Sequence, residues 1–474
     1  DNYFWPVSES DFRNFSKFMY ENYIEIIRNA EDDKLSDMAM VEWPFVNQLM
    51  RIFHYNYIKQ YSIKNKLKLV VGEDSDYLIN PEWDKIKTYY SNFEFPHNKK
   101  TRIIRRIIKN IVFNKNIPIF KFIHGFFKAD AVSIGSNDRI KSIFLKEKKL
   151  FCDFRDWPDF FNSNIKSSVI VGQYNSLFLE KIINPFLRKM ISHNSFFVKN
   201  MDFDKIKEVW SSRIFDAYSL YFNIRLYKTP SSLLVTEVSK PMHKLITVAY
   251  QSKGCKVYCF HHGNDFIATI KKRQNCSNIL HCNNFVLPTD GIEKRYKEHI
   301  SNIKCIKKKR TKFTSVNSRE MYDLYLRNIG NVPKTAIDTV MIMGLPSNCN
   351  RSFGERGQFF YQQVDLVYRL ILLLKSKNKK VLYKVHPERV NEIDGVFDTI
   401  VDEVVTDPFE SVWGRSDLLI FTYTSTTTFG YALTTNLPII LLDTSSDLRD
   451  QDYMKLLDKR IERVHAKINY DTRI

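Results

Sequence analysis

The segment VLYKVHPER, residues 381–389, joins a short apolar strand to a polar loop that begins at His386 and Pro387. A second segment of this kind, DLLIFTYTSTTTFGYAL, follows at residues 417–433. Each predicts a strand, a loop and a helix in turn. In open α/β sheets ligands bind at the carboxyl ends of the strands. We therefore expect the functional site at these two loops.

Units of the same kind recur along the chain on both sides of this segment. Short apolar runs end in turn residues and alternate with helix-length segments, which indicates parallel sheets covered by helices on both faces. Strands are predicted within residues 67–76, 131–138, 167–176, 231–239, 255–265, 284–291, 338–348, 399–405 and 437–445, and helices over 241–252 and 357–377. The predicted fold class is α/β, with two doubly wound, Rossmann-like domains.

Length and composition suggest the domain boundaries. At 474 residues the chain exceeds what one hydrophobic core usually supports. Residues 1–300 are the predicted N-terminal α/β domain, with helical insertions and a helical extension at its start. Residues 301–335 are basic and polar and are the predicted linker. A C-terminal α/β domain is predicted over 336–446, followed by a helix over 447–474.

The formal net charge of +19 indicates an anionic partner: nucleic acid, a membrane surface or a phosphorylated substrate. The basic residues are spread along the chain without an RRM, zinc-finger or helix-turn-helix pattern, so nucleic acid is not expected. The sequence also lacks G-x-x-x-x-G-K-[ST], H-E-x-x-H and G-x-S-x-G. Their absence argues against P-loop NTPases, zinc proteases and α/β-hydrolases.

Three features bear on the cellular location. The longest apolar runs, such as ITVAY and LILLL, are far shorter than the roughly 20 residues that a spanning helix needs. The first residues, DNYFWPVSESDF, do not show the pattern of a signal peptide. The seven scattered cysteines are typical of reduced thiols. We therefore expect a cytoplasmic protein.

The segment KKTRIIRRIIKNIVFNK, residues 99–115, has an apolar helical stripe with four basic side chains beside it, Arg102, Arg105, Arg106 and Lys109. Basic amphipathic helices of this kind are typical of attachment to anionic lipid. A helix that packs on the core and solvates its basic face has the same pattern. Peripheral attachment to the inner face of the cytoplasmic membrane is therefore one of two open interpretations.

Lys384 and His386 are two positions apart on the predicted strand, so their side chains point the same way, and Pro387 ends the strand. An imidazole beside an ammonium group suits the phosphates of a leaving nucleotide, because both donate hydrogen bonds where negative charge develops. A histidine that only caps the strand end is the structural alternative. We assign Lys384, His386 and Pro387 to donor binding.

Hydroxyl groups cluster after the second strand, at Thr422, Thr424, Ser425 and residues 426–428. Hydroxyls and free backbone N–H groups at a helix start can bind an anion. Ordinary N-capping accounts for one or two of these residues. We assign Thr424, Ser425 and Thr426 to the binding of phosphate or carboxylate.

In the predicted N-terminal domain, the strand KVYCF leads into a polar loop, His261, His262, Gly263, Asn264 and Asp265. Adjacent residues of an extended segment face opposite ways, so one histidine is expected to enter the cleft between the two predicted domains, and His262 is our candidate. Gly263, Asn264 and Asp265 then form the loop that the substrate approaches. The structural alternative is that His261 and His262 are an ordinary pair of histidines in a surface loop. Glu237, at the end of the strand LLVTEVS, is a candidate general base or nucleophile, or the partner of a helix N-terminus.

No metal site is expected. The cysteines and histidines between residues 255 and 282 fit no zinc pattern, and on a strand Cys255 and Cys259 would lie roughly 13 Å apart. Asp74 and Asp76 have the DxD spacing with which some transferases hold a divalent cation, but such pairs arise easily by chance. We therefore predict a protein that needs no metal or other cofactor.

Together, the segments FHHGND, YKVHP and FTYTSTTTFGYAL resemble motifs of bacterial GT-B transferases of surface polysaccharide assembly. Similar layouts occur in sialyltransferases and polysialyltransferases with an HP motif, in Kdo transferases and in CDP-glycerol glycerophosphotransferases. The resemblance covers roughly residues 230–445. It implies a GT-B architecture, with the nucleotide-activated sugar on the C-terminal domain and the acceptor on the N-terminal domain.

Carried over by position, the resemblance implies that His386 and Pro387 contact the phosphate of a cytidine nucleotide. Ser425 and the neighbouring threonines would bind phosphate or the carboxylate of the donor, and His262 with the glycine after it would stand at the reaction centre. Glu237 is the nearest candidate for the acidic nucleophile of retaining Kdo transferases, where aspartate is expected.

The resemblance predicts a metal-independent glycosyltransferase that moves an acidic sugar, Kdo or sialic-like, from a CMP donor to a bacterial capsule or lipopolysaccharide glycan, free or lipid-linked. Two alternatives stay open. One is a CDP-polyol phosphotransferase of the teichoic-acid type. The sequence departs from the motifs of those enzymes at Asn264, Asp265 and residues 422–425. The other is a non-catalytic polysaccharide-binding or scaffold protein.

Overall fold

Two parallel β-sheets, each flanked by helices, organise the residues that the computed structural model describes. These are all residues except 1–5, 8, 70–79, 92–98, 136–137, 162–168, 194, 225–229, 237, 239, 262–278, 280, 301–310, 318, 329–335, 345–359, 386–394, 425, 444–450 and 467–474. The predicted α/β class is confirmed, with two Rossmann-like units, an architecture consistent with the GT-B type, and a helical N-terminal region.

The first sheet and its helices form the N-terminal unit. Its strands are β1 (Ala131–Ile134), β2 (Cys152–Arg155), β3 (Ser232–Thr236), β4 (Lys256–Phe260), β5 (Asn284–Leu287) and β6 (Lys312–Ser315). They are parallel in the order β2-β1-β3-β4-β5-β6. The order reverses direction between β1 and β3, and the carboxyl ends of these two strands are the expected place for a ligand.

The second sheet belongs to the C-terminal unit. Its strands are β7 (Thr339–Met343), β8 (Lys380–Lys384), β9 (Glu403–Val405), β10 (Leu418–Phe421), β11 (Ile439–Asp443) and β12 (Glu462–His465). They are parallel in the order β12-β11-β10-β7-β8-β9, the order of a dinucleotide-binding sheet. A separate hydrophobic core covers each face, so the inner strands are continuous apolar runs.

Helices occupy the intervening segments. In chain order they are α1 (Glu9–Asn29), α2 (Asp33–Val41), α3 (Trp43–Lys64), α4 (Trp83–Lys87), α5 (Lys99–Phe113), α6 (Ile119–Phe127), α7 (Arg139–Lys148), α8 (Val169–Phe178), α9 (Asn184–Ser192), α10 (Phe203–Phe222), α11 (Pro241–Ser252), α12 (Asp290–Ile300), α13 (Arg319–Asn328), α14 (Phe360–Ser376), α15 (Phe409–Val412), α16 (Thr427–Ala432) and α17 (Gln451–Leu457). Buried residues of α1–α3 and α8–α11 share one core with one face of the first sheet.

A buried ion pair ties the N-terminal helices together. Arg213 on α10 pairs with Glu42 at 3.0 Å, and Tyr90 donates a hydrogen bond to Glu42 at 2.6 Å. The guanidinium group also lies over the rings of Phe45 and Tyr90. Because the buried carboxylate receives both bonds, the pair fixes the start of α3 against α10, and removing either charge would leave the other buried without compensation.

Three segments differ from the sequence predictions. Residues 312–315, inside the predicted linker, form β6 at the edge of the first sheet, and residues 462–465, inside the predicted terminal helix, form β12 at the edge of the second. The apolar run at 169–178 is helix α8 rather than a strand, because its side chains pack against α10. The strand predicted at 67–76 lies almost wholly outside the described residues.

Within the described part of the chain, no helix combines the length and the apolar character that crossing a bilayer requires.

Candidate functional site

The strand order of the second sheet reverses between β7 and β10, and the ends of these strands define the candidate site. In the register, Ile342 pairs with Ile420 and Met343 with Lys384, so Gly344, Thr422 and Val385 lie at one level of the carboxyl edge. The Tyr423 hydroxyl donates a hydrogen bond to the Gly344 carbonyl at 2.9 Å. This bond ties the loop after β10 to the end of β7.

Gly344 allows β7 and β8 to approach each other closely at this edge. Its N–H donates to the Lys384 carbonyl at 2.9 Å. A Cβ atom at this position would stand 2.8 Å from the Lys384 carbonyl oxygen and 2.9 Å from Oη of Tyr383. Both distances are too short for a side chain, so only glycine fits without moving one of the two strand ends.

Two buried hydroxyl groups lie at the end of β10. The Thr422 side chain is 2% exposed and that of Thr424 is 0% exposed. Neither hydroxyl has a hydrogen-bond partner among the residues that the structure describes. Buried polar groups are nearly always hydrogen-bonded. Two such hydroxyls at the point where the strand order reverses suit a polar ligand, because each hydroxyl can donate a hydrogen bond to it.

The other members of the predicted hydroxyl cluster differ in role. Thr426 caps α16, since its Oγ1 accepts a hydrogen bond from the Thr428 N–H at 3.3 Å. This is the N-capping alternative that the sequence left open for this position. Ser425, between the two described threonines, lies outside the described residues.

Lys384 supplies positive charge at the end of β8. Its side chain is buried, and Nζ donates a hydrogen bond to the Val385 carbonyl at 2.5 Å. Burial lowers the pKa of Lys384 below its ordinary value, and the carboxylates of Asp407 and Glu410 oppose that change. His386 and Pro387, which the sequence assigns to the donor phosphate, follow directly and lie outside the described residues.

The carboxyl edge of the first sheet carries a polar network that the sequence did not predict. Thr236, the last residue of β3, donates a hydrogen bond to the Asp138 carboxylate, which also caps α7 by accepting from the Lys141 N–H at 2.9 Å. The Lys141 ammonium, 0% exposed, donates to the Ser133 hydroxyl at 3.0 Å and lies 3.9 Å from the Asp138 carboxylate. Burial lowers the pKa of Lys141, and Asp138 opposes this.

Ser133 and Asp138 lie within the strand-to-turn unit predicted at 131–138, but the sequence assigned no role to either residue. The network adjoins the predicted catalytic position: Glu237 follows Thr236 directly and lies outside the described residues.

His261 belongs to the core of the N-terminal unit. Its ring is 2% exposed and packs edge-on against Phe285 and Tyr296, with centroids 6.1 and 6.0 Å away. The backbone N–H of His261 donates to the Val286 carbonyl at 3.0 Å and extends the pairing of β4 with β5. The predicted site residues His262, Gly263, Asn264 and Asp265 lie outside the described residues.

No group of three or more His, Cys, Asp or Glu side chains gathers as a metal site among the described residues. Cys255, Cys259 and Cys282 are buried free thiols. Burial raises the pKa of Cys255 to about 12, which disfavours the thiolate that a metal would bind. Asp74 and Asp76 lie outside the described part of the chain.

Comparison with known proteins yields little. No family model matches the chain, and no curated protein matches it. One solved structure with some similarity is UDP-N-acetylglucosamine 2-epimerase from Rickettsia bellii, at 11% sequence identity and a TM-score of 0.33, over 70% of this chain and 88% of that one. At this identity and score the similarity identifies neither a family nor an activity.

Proposed function

We propose that this chain is a metal-independent glycosyltransferase that moves an acidic sugar from a CMP-activated donor to a glycan of the bacterial surface. One observation carries the donor-binding part. Thr422 and Thr424 hold buried hydroxyls, without partners among the described residues, at the point where a sheet of dinucleotide-binding order reverses. Nucleotides bind doubly wound sheets at that point.

The neighbouring residues support an anionic ligand. The end of β8 holds the Lys384 ammonium, and the predicted donor ligands His386 and Pro387 come next in the chain. Hydroxyls and cations around a diphosphate or phosphodiester donate hydrogen bonds to the oxygens that gain charge as the sugar leaves. This is the contribution that we assign to the C-terminal unit.

The acceptor and the catalytic base belong to the N-terminal unit in this proposal. Glu237 follows Thr236, whose hydroxyl bonds to Asp138. A strand end held in this way would position the next residue firmly, which a general base or nucleophile needs. The choice of cytidine, and of an acidic sugar such as Kdo or a sialic acid, is supported by the resemblance of FHHGND, YKVHP and FTYTSTTTFGYAL to such transferases.

The test is the thermal stability of the full chain with CMP, CDP, UDP or GDP. A ligand at a hundred times its dissociation constant stabilises the native state by about 2.7 kcal/mol. We expect CMP to raise the melting temperature most. A larger effect of CDP would favour a polyol phosphotransferase, stabilisation by UDP or GDP alone would contradict a CMP donor, and no effect of any nucleotide would favour a scaffold protein.

Two variants locate the ligand. Thr424→Val removes a hydroxyl that has no partner among the described residues, and it is expected to abolish most of the stabilisation by CMP. Thr435→Val is the matched control, because Thr435 is a buried threonine of the same unit whose hydroxyl donates to the Ala432 carbonyl at 2.7 Å. The control should lower the melting temperature of the free protein and leave the shift by CMP unchanged.

A further inference from the structure

The helices α5 and α6 expose an apolar surface outside the proposed site. On α5, the five isoleucines from Ile103 to Ile111 and the adjacent Val112 are each between 44% and 57% exposed. On α6, Ile119, Phe120 and Phe127 are 78%, 83% and 85% exposed. Contiguous apolar patches of this kind on a protein surface usually mark a contact with another molecule or a membrane.

The polar face of α5, and not its apolar face, packs on the protein. Asn114 accepts a hydrogen bond from the Cys152 N–H and donates to the Cys152 carbonyl, each at 2.9 Å. Asn110 accepts from the Phe154 N–H at 2.7 Å. Cys152 and Phe154 belong to β2, the edge strand of the first sheet, whose outer backbone groups need partners. The side-chain amides of Asn110 on α5 and of Asn114, which directly follows the helix, supply them.

Two ion pairs hold α5 in this orientation. Arg106 pairs with the buried Asp153 of β2, and Lys109 pairs with Asp156 at 2.7 Å. With these side chains and the two asparagines facing the sheet, the isoleucines on the other side of the helix must face outward. The structure therefore decides against the core-packed helix that the sequence left open, because the apolar stripe lies in solvent.

The short helix α6 follows α5 after a gap of five residues, exposes apolar side chains of its own and is itself fixed to the unit. The Phe122 ring packs edge-on against Phe151 at 5.7 Å, and a side chain at Gly125 would overlap the Phe151 ring. Lys121 Nζ donates to the Lys149 carbonyl at 2.5 Å. Phe120 and Phe127 are thus presented to solvent by an anchored helix.

Charge identifies the occupant. Residues 99–128 contain nine Lys and Arg residues and no Asp or Glu. Three of the nine, Arg106, Lys109 and Lys121, pair with carboxylates of the same unit. Arg105, Lys115 and Lys128 are exposed beside the apolar side chains. A second copy of this chain would bring like charges together, which disfavours a self-contact. An anionic lipid bilayer offers acyl chains for the isoleucines and phosphate groups for the cations.

We propose that the surface formed by α5 and α6 docks this protein on a bilayer that contains anionic lipid. The apolar side chains enter the boundary between headgroups and acyl chains, at a depth of about 5–10 Å. The flanking cations contact lipid phosphates. This inference is independent of the donor site, because no residue of β7, β8 or β10 takes part.

The test is flotation of the full chain with vesicles of phosphatidylcholine alone, or of phosphatidylcholine and phosphatidylglycerol in equal parts. The apolar variant combines Ile104→Ser, Ile108→Ser and Phe120→Ser, and the charge variant combines Arg105→Glu, Lys115→Glu and Lys128→Glu. These side chains are exposed, so both variants should fold. The matched controls are Leu372→Ser with Leu373→Ser, two exposed leucines of α14, and Lys377→Glu.

The wild type and both controls should float with the anionic vesicles. They should bind the neutral vesicles at least about tenfold less tightly, because each basic residue near an anionic surface contributes about fivefold in affinity. Both test variants should lose at least about tenfold in affinity for the anionic vesicles. Equal flotation of either test variant, or no flotation of the wild type, would overturn the proposal. So would a wild-type dimer that the apolar variant converts to monomer without any vesicle binding, which would assign the surface to a second copy of the chain.

Discussion

The carboxyl edges of the two sheets differ in whether their buried polar groups have hydrogen-bond partners among the described residues. At the first edge, Asp138, Lys141, Ser133 and Thr236 bond to one another, so buried charge and buried hydroxyls are satisfied within the unit. At the second edge, the hydroxyl groups of Thr422 and Thr424 have no hydrogen-bond partner among the described residues. The first arrangement holds strand ends in place, while the second is suited to bonding with a ligand.

The largest expected effect comes from breaking the first network. Asp138→Ala leaves the buried Lys141 ammonium without its carboxylate and removes the cap of α7, so the free energy of unfolding should fall by about 3 kcal/mol. Asp202→Ala is the control, because Asp202 also caps a helix, α10, by accepting from the Lys205 N–H at 2.8 Å, and no buried cation pairs with it among the described residues.

Urea unfolding of both variants separates these contributions, and the control should lose only about 1 kcal/mol. Equal losses in the two variants would show that Asp138 acts as a cap alone.

A side chain at Gly344 should disturb the second edge. Gly344→Ala places a methyl group against the Lys384 carbonyl and the Tyr383 hydroxyl, so we expect a loss of about 1–3 kcal/mol in stability, with weaker binding of CMP. Gly172→Ala is the control, since nothing lies within 4 Å of its Cβ position on α8. There alanine should stabilise the helix by up to about 1 kcal/mol. A neutral result at Gly344, measured by thermal unfolding, would contradict the tight packing of β7 on β8.

The same substitution should lower stability at the first edge and not at the second. Thr236→Val removes the donor to Asp138 and should cost about 1–2 kcal/mol. Thr424→Val removes a hydroxyl without a described partner and should leave the free protein equally stable or more stable by about 1 kcal/mol. Parallel unfolding curves test both, and a clear loss in Thr424→Val would mean that this hydroxyl is already bonded in the free protein.

The smallest expected effect is a pH dependence of CMP binding from Lys384. Burial lowers the pKa of Lys384 below its ordinary value of 10.5. The ammonium therefore loses its proton at a lower pH than an exposed lysine, and affinity for an anion should fall as pH rises through that lowered pKa. Titrations at alkaline pH in wild type and Lys384→Met check this, because the variant should lack this fall.

Sequence alone predicts the central strands well. Strands such as β7 and β11 are buried runs of Val, Ile, Leu and Met between turn residues, and α11 spans residues 241–252 as expected from Pro241 and Gly254 at its two ends. Because the element order is correct there, the ends of β8 and β10 are located as well, whereas the reversal of strand order between β7 and β10 comes from the structure. The residues that this places near a ligand, Thr422 and Thr424, come from the predicted hydroxyl cluster.

The edges of the sheets were harder to predict. The strands β2, β6 and β12 have the sequences CDFR, KFTS and ERVH, which carry no apolar run because an edge strand has a neighbour on one side only. The run at 169–178 has strong strand propensity, yet tertiary contacts with α10 make it helical.

The buried charge of Lys141 could not be read from the sequence either. Its partners come from β1 and from the residue that caps its own helix. The orientation of α5 depends in the same way on the free edge of β2. The role of Lys141 and the orientation of α5 depend on neighbours in the folded structure, which a local sequence pattern does not show.

The central claim is that the second edge, and not the first, binds the nucleotide. Calorimetric titration of CMP into wild type, Thr236→Val and the double variant Thr422→Val, Thr424→Val tests it most directly. We predict equal affinity in wild type and Thr236→Val and a loss of about tenfold or more in the double variant, since each hydrogen bond to a charged group contributes about 1.5–3 kcal/mol. Unchanged affinity in the double variant, or a loss confined to Thr236→Val, would contradict the account.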